Sequence, residues 1–230
     1  MPTITDEEFG AIVVRRSTRA TQVRLRVAPD GTLRASMPLY APLFLLKRLI
    51  KSSRPQLRTM LKQAQPVTQY SEGQQIGKSH TLIVRHGTTK LEVSRTKQQI
   101  ILSLPSHKSL IDDDVVRKVR DASLAALRLE AKSYLPKRLD YLSNQLGYSY
   151  AKVRFSHASS RWGSCSSNGT ISLNVALMKL PFELIDYVIV HELAHTKEMN
   201  HSQEFWKRVE KGDPHYKLHR RLLKQEAPSI

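Results

Sequence analysis

The residues in this sequence best suited to chemistry are His191, Glu192 and His195, in the order His-Glu-Leu-Ala-His. In an α-helix, residues four apart share a face one turn apart, so two imidazoles at this spacing can aim at one cation. Glu192 is rotated around the helix from the first histidine, where it can reach a water on that cation without ligating the cation itself. A carboxylate there can take a proton as the water attacks a carbonyl and pass it to the leaving amine. A catalytic zinc normally takes three protein ligands and keeps one position for water, so a third ligand is needed. His201 is the obvious one, six residues beyond His195 and after Met199-Asn200, where asparagine tolerates the left-handed turn that ends a helix. The interval is that of the pattern H-E-x-x-H-x-x-G-x-x-H, but Glu198 stands at the glycine position, so a different turn is expected. The expected cofactor is one Zn2+ per chain; three imidazoles would also take cobalt, nickel or copper.

These side chains need a helix to hold them. Pro181 suits the first turn, Glu183 complements the helix dipole, and the apolar run through Val190 buries the segment. Burial argues for a metal, because unpaired His and Glu among apolar neighbours would be costly unless something satisfied them. Ser202 can cap a following helix whose apolar side is Phe205, Trp206 and Val209. A purely structural zinc would need a fourth ligand; His215 and His219 could supply it only through folding. Upstream, strands are expected at 151–155 and 170–177, flanking a loop at 156–169. A substrate peptide could pair with the edge of the strand 170–177. Arg161 to Cys165 should frame the cleft. Trp162 and Asn174 read as packing and turn hydrogen bonding, and Arg161 as an oxyanion stabiliser or a surface ion pair. Cys165 has no assignable activating base, so it reads as an inert thiol.

The first hundred residues alternate apolar and polar side chains, predicting strands at 12–16, 22–27 and 32–37 with a turn at Pro29-Asp30-Gly31. Helical spacing runs from 43 to 65 with a break near Pro55, and strands resume at 80–85, 90–93 and 99–104. Three aspartates, Asp112 to Asp114, then open a long helix that keeps its spacing to about 145, with Gly147 as its stop. The expected class is α+β: a strand-rich part over 1–105 with one basic helix, packed on a helix-dominated part over 106–230.

The 230 residues contain 37 Lys and Arg against 20 Asp and Glu, a formal charge of +17. Such an excess attracts polyanions, so nonspecific nucleic-acid contact through the basic surface is a candidate property. No stretch approaches the roughly 18 apolar residues of a membrane span. The first ten residues carry Asp6, Glu7 and Glu8 where a secretory leader would be basic, and a single cysteine excludes an intrachain disulfide. A cytoplasmic protein with no membrane partner is expected; the oligomeric state is not legible.

The segments Arg161-Trp162-Gly163-Ser164-Cys165, Ile171-Ser172-Leu173-Asn174, Leu180-Pro181, Asp186-Tyr187-Val188, His191 to His195 and Asn200-His201 with Phe205-Trp206 resemble the YgjP-like metallopeptidases, relatives of the SprT-like group. The resemblance extends to the N-terminal strands. It implies a zincin-like catalytic part, with His191, His195 and His201 as zinc ligands, Glu192 as the catalytic glutamate, and protein or peptide substrates. Two other readings stay open. One is a basic nucleic-acid-binding protein whose metal site is structural or vestigial; the other is an enzyme acting on small amides.

Overall fold

The computed structural model describes residues 3–18, 20–27, 32–64 and 70–228. The chain divides into two compact units, Met1–Val67 and Thr68–Ile230. In the first, the alternating segments form strands β1 (Thr3–Asp6), β2 (Gly10–Ser17), β3 (Arg24–Val27) and β4 (Leu33–Pro38), ordered β1-β2-β4-β3. The turn at Pro29-Asp30-Gly31 lies outside the described residues. Period-two alternation sends Ile12, Val14, Leu33, Ala35 and Met37 to one face, where they bury against Leu46 and Ile50 of α1 (Leu43–Ser52) and Leu57 of α2 (Arg54–Ala64). The expected helix break falls at Ser53, and Pro55 occupies the first turn of α2, where its missing N–H is no loss.

The second unit begins with β5 (Gln75–Ile76), β6 (His80–Thr88), β7 (Glu92–Arg95) and β8 (Gln99–Pro105), ordered β5-β6-β8-β7. The helix α3 follows (Asp113–Leu146), with Asp113 and Asp114 in its first turn and Gly147 in the left-handed region at φ 70° closing it. The boundary expected at 105/106 therefore falls inside this unit. Leu82, Ile100, Leu102 and Leu104 of the sheet share one core with Val115, Val119, Leu127 and Leu135 of α3, so those strands go with the C-terminal helices. The change of periodicity near Ser106 marks a change of element within one core. The α+β class stands.

A second sheet is ordered β10-β11-β9, from β9 (Lys152–Ser156), β10 (Gly163–Cys165) and β11 (Thr170–Asn174). The strand expected at 170–177 stops at Asn174, whose side-chain oxygen accepts from the Ala176 N–H and starts a 3-10 helix, Val175–Lys179. β11 is the central strand, parallel to β9 and antiparallel to β10, so it has no free edge. The edge expected on the strand 170–177 is instead that of β10. The helices α4 (Phe182–Ala194), α5 (Gln203–Gly212) and α6 (Tyr216–Leu223) complete the unit. Among the described residues, no helix is long and apolar enough to cross a membrane.

Two polar ties fix α3. Arg138 grips Asp186 of α4 through two hydrogen bonds of 2.7 and 2.6 Å. Buried Glu130 accepts from the Lys78 N–H, the Ser79 N–H and hydroxyl, and His80 Nδ1, at 2.6 to 3.0 Å. Burial pushes the Glu130 pKa up, but these bonds outweigh it and hold the carboxyl below its usual 4.5. A depressed folded pKa gives stability that is present above the unfolded value and lost as pH falls through the folded one. Glu130→Gln should therefore cost about 2 kcal/mol at pH 7 in urea unfolding, and the gap should narrow as the pH falls below 4.5. A pH-independent difference would refute the assignment.

Candidate metal centre

Helix α4 is buried on nearly every side: Leu184, Ile185, Val188, Ile189, Val190, Leu193 and Ala194 are all in the core. It is the apolar packing of this helix that carries His191 and Glu192 into the interior. Burial pulls the His191 pKa down to about 3, with the neighbouring His195 and His201 adding to the effect, and burial pulls His195 down as well. Both rings are thus neutral at physiological pH, the form that ligates.

The chain leaves α4 at His195 and turns back at Asn200, whose side chain accepts from the Ser202 N–H. Ser202 then caps α5 by accepting from the Phe205 N–H, as expected. This brings His201 to the other two. The ring centroids lie 4.9 Å (His191–His195), 5.1 Å (His191–His201) and 4.8 Å (His195–His201) apart. Glu198, at the place of the expected glycine, contributes its backbone: its carbonyl accepts from His195 Nδ1 at 3.0 Å. That bond fixes the tautomer and leaves the Nε2 lone pair free for a cation.

The donor set fits a zinc ion. One nitrogen from each ring falls within 4.8 Å of the others, and His191 Nε2 and His201 Nε2 are 3.2 Å apart. Two imidazole nitrogens on one tetrahedral zinc, with bonds of about 2.0–2.1 Å, stand about 3.3 Å from each other. Among the described residues, this is the group able to hold an ion, and His215 and His219 are outside it. His219 instead bonds Asp213 through Nδ1 at 2.7 Å.

Glu192 is 5 % exposed, and its Oε2 has no hydrogen-bond partner among the described residues. Burial pushes its pKa up to about 8, with Arg161 pulling the other way. The same burial, with Glu192 beside it, pushes the Cys165 thiol up, which agrees with an inert cysteine. Asn174 is fully buried and donates to the carbonyls of Ala158 and Arg161 at 2.7 and 2.9 Å, pinning the loop that leads into β10.

Two contributions were not legible in the sequence. A Cβ on Gly163 would lie 2.6 Å from Glu192 Oε1 and 2.8 Å from its Cγ, so the glycine of Arg161-Trp162-Gly163-Ser164-Cys165 makes room for the carboxylate. Phe205, expected only as an apolar helix face, touches all three rings, with centroids 4.4, 4.9 and 4.7 Å from His195, His191 and His201. Trp206 stacks on His201 at 5.6 Å and on Tyr216 at 5.5 Å. Helical periodicity marks such positions as apolar but says nothing of what they face.

Comparison with known families finds the YgjP-like metallopeptidase domain over residues 21–226. No curated protein matches. Among solved structures, the chain is similar to the metallopeptidase zymogen abylysin of Pyrococcus abyssi, at 32 % identity over 39 % of this chain and 92 % of that one, with a TM-score of 0.36. It is also similar to the metallopeptidase zymogen jannalysin of Methanocaldococcus jannaschii, at 20 % identity over 40 % of this chain and 96 % of that one, with a TM-score of 0.33.

If Gly163 exists to clear Glu192, Gly163→Ala should destabilise the protein by about 1–3 kcal/mol through overpacking. In a Glu192→Ala background most of that cost should vanish. The double-mutant cycle is read by denaturant unfolding, and additive effects would show that the two residues are not in conflict.

Proposed function

This chain belongs to the YgjP-like metallopeptidase family, and we propose that His191, His195 and His201 hold a catalytic zinc while Glu192 acts as general base in amide-bond hydrolysis. The observation that carries this reading is the buried Glu192 carboxyl, with one oxygen unpartnered, on the helix that supplies two rings of a three-imidazole cluster. When bound, zinc acidifies water and polarises a carbonyl, and its positive charge favours the ionised form of Glu192. Glu192 takes the proton of the attacking water on its free oxygen and delivers it to the leaving amine. The backbone of β10, next to Glu192 through Gly163 and, among the described residues, unpaired on its outer edge, suits an extended peptide laid antiparallel or parallel to it. That edge favours protein or peptide substrates over small amides. The half-buried free Cys165 suits the reducing cytoplasm.

The assignment is checked by metal analysis together with casein cleavage. Glu192→Gln should keep about one zinc per chain and lose at least about a hundredfold in cleavage rate. His201→Ala should lose the metal. Cleavage that survives in Glu192→Gln would remove the general base, and turnover of small amides without casein cleavage would move the substrate to that class.

A second reading concerns nucleic acid, and a specific face favours it. The register of the first sheet places Arg26 directly across from Arg34, and Arg24 and Arg15 on either side of Ser36. All four arginines are exposed, on the face opposite the core, and none of the paired positions there is acidic. Exposed guanidinium groups gathered on one sheet face suit a phosphate backbone. Duplex DNA binding should weaken with salt, and the combined Arg15→Ala, Arg24→Ala and Arg26→Ala variant should flatten the slope of log K against log salt by about 3. An unchanged slope would clear this face of the role.

A further inference from the structure

The second unit contains a cavity away from the histidine cluster, with a volume of about 710 Å³. That lies within the range of small-molecule sites, roughly 300–1,000 Å³. It is lined by the turn before β6, the β7–β8 connection, the middle of α3 and the start of α4. Phe182 and His191 stand nine residues apart on α4, about 13 Å along its axis, so the cavity and the metal centre sit toward opposite ends of one helix.

Its chemistry has three parts. Lys78, Arg95 and Lys97 contribute cations, and the one carboxylate in the lining, Glu130, is already taken up by four donors from 78–80. Tyr134 and Phe182 form an aromatic wall with ring centroids 5.3 Å apart, and Phe182 is left 49 % exposed. Lys78 Nζ lies 4.3 Å from the Phe182 centroid, so positive charge and aromatic surface adjoin. The third part is His80, whose side chain is 4 % exposed. Its Nδ1 is held by Glu130 at 2.6 Å, while its Nε2 is buried with no hydrogen-bond partner among the described residues. His80 thus ties this part of the lining to α3 through Glu130.

We propose that this cavity binds a small organic anion with a flat apolar body. The charge would rest among Lys78, Arg95 and Lys97, and the body against Tyr134 and Phe182. Neither the metal nor Glu192 takes part, so the site stands independently of the peptidase assignment.

The test is calorimetric titration of the full chain with 2-naphthoate, and with 2-naphthamide as its uncharged counterpart. Saturable binding of one naphthoate per chain is expected, with at least about tenfold weaker binding of the amide. The exposed double variant Arg95→Glu with Lys97→Glu, and separately Phe182→Ala, should each weaken naphthoate by a similar factor, with circular dichroism confirming the fold. His201→Ala should bind naphthoate as the wild type does. The proposal is overturned by absence of saturable binding, by equal affinity for acid and amide, or by indifference to the charge reversal. Loss of binding in His201→Ala would place the carboxylate on the histidine cluster instead. A blocked Asp-Phe-Asp peptide that binds more than tenfold tighter than naphthoate would replace the small ligand with an acidic peptide.

Discussion

The structure depends on one constraint: helix α4 is packed into the core while carrying an imidazole and a carboxyl that cannot be left unsatisfied there. An apolar helix of thirteen residues would ordinarily be a simple core element. Here Glu192 Oε2 is buried without a hydrogen-bond partner among the described residues, and the half-buried His191 turns its Nε2 toward His201 Nε2 at 3.2 Å. A group in that position costs free energy on the order of 1–3 kcal/mol, more if charged, and persists where function requires it. A cation shared by the three rings and a water next to Glu192 are what this arrangement is prepared to accept.

The surrounding elements make sense as supports for that helix end. Phe205 presses on all three rings from α5, and Trp206 backs His201 while Arg220 of α6 lies over the Trp206 ring at 4.6 Å. β10 passes so close to Glu192 that a Cβ at 163 would force the carboxylate to shift. Asn174 ties the loop before β10 to the end of β11, so the position of that edge is set by one buried amide. The three rings and Glu192 are thus held in place by neighbours outside the cluster, which is how a site keeps its geometry without strain in its own residues.

Much of this was legible in the residues, and what was not has a physical reason. The grouping of His191, His195 and His201 beside Glu192, the cap at Ser202 and the stop at Gly147 rest on local signals, fixed by spacing within a turn or two. The strand boundaries also followed from alternation, to within a few residues. The domain boundary did not, because periodicity reports the element and not its partner: β6 to β8 alternate like β2 to β4 but bury against α3. The edge strand was misplaced for a related reason. Three residues of β10 are too short to show a period, and a central strand and an edge strand read alike in sequence. Gly163 and Phe205 required knowing which side chains meet across the fold.

The most direct test of the central claim is zinc K-edge X-ray absorption on the purified protein. Three imidazole nitrogens at about 2.0–2.1 Å, with one oxygen at a similar distance, is the coordination predicted for an open catalytic site. A sulfur shell near about 2.3 Å would bring Cys165 into the site, and a fourth imidazole would close it; either result would contradict the account.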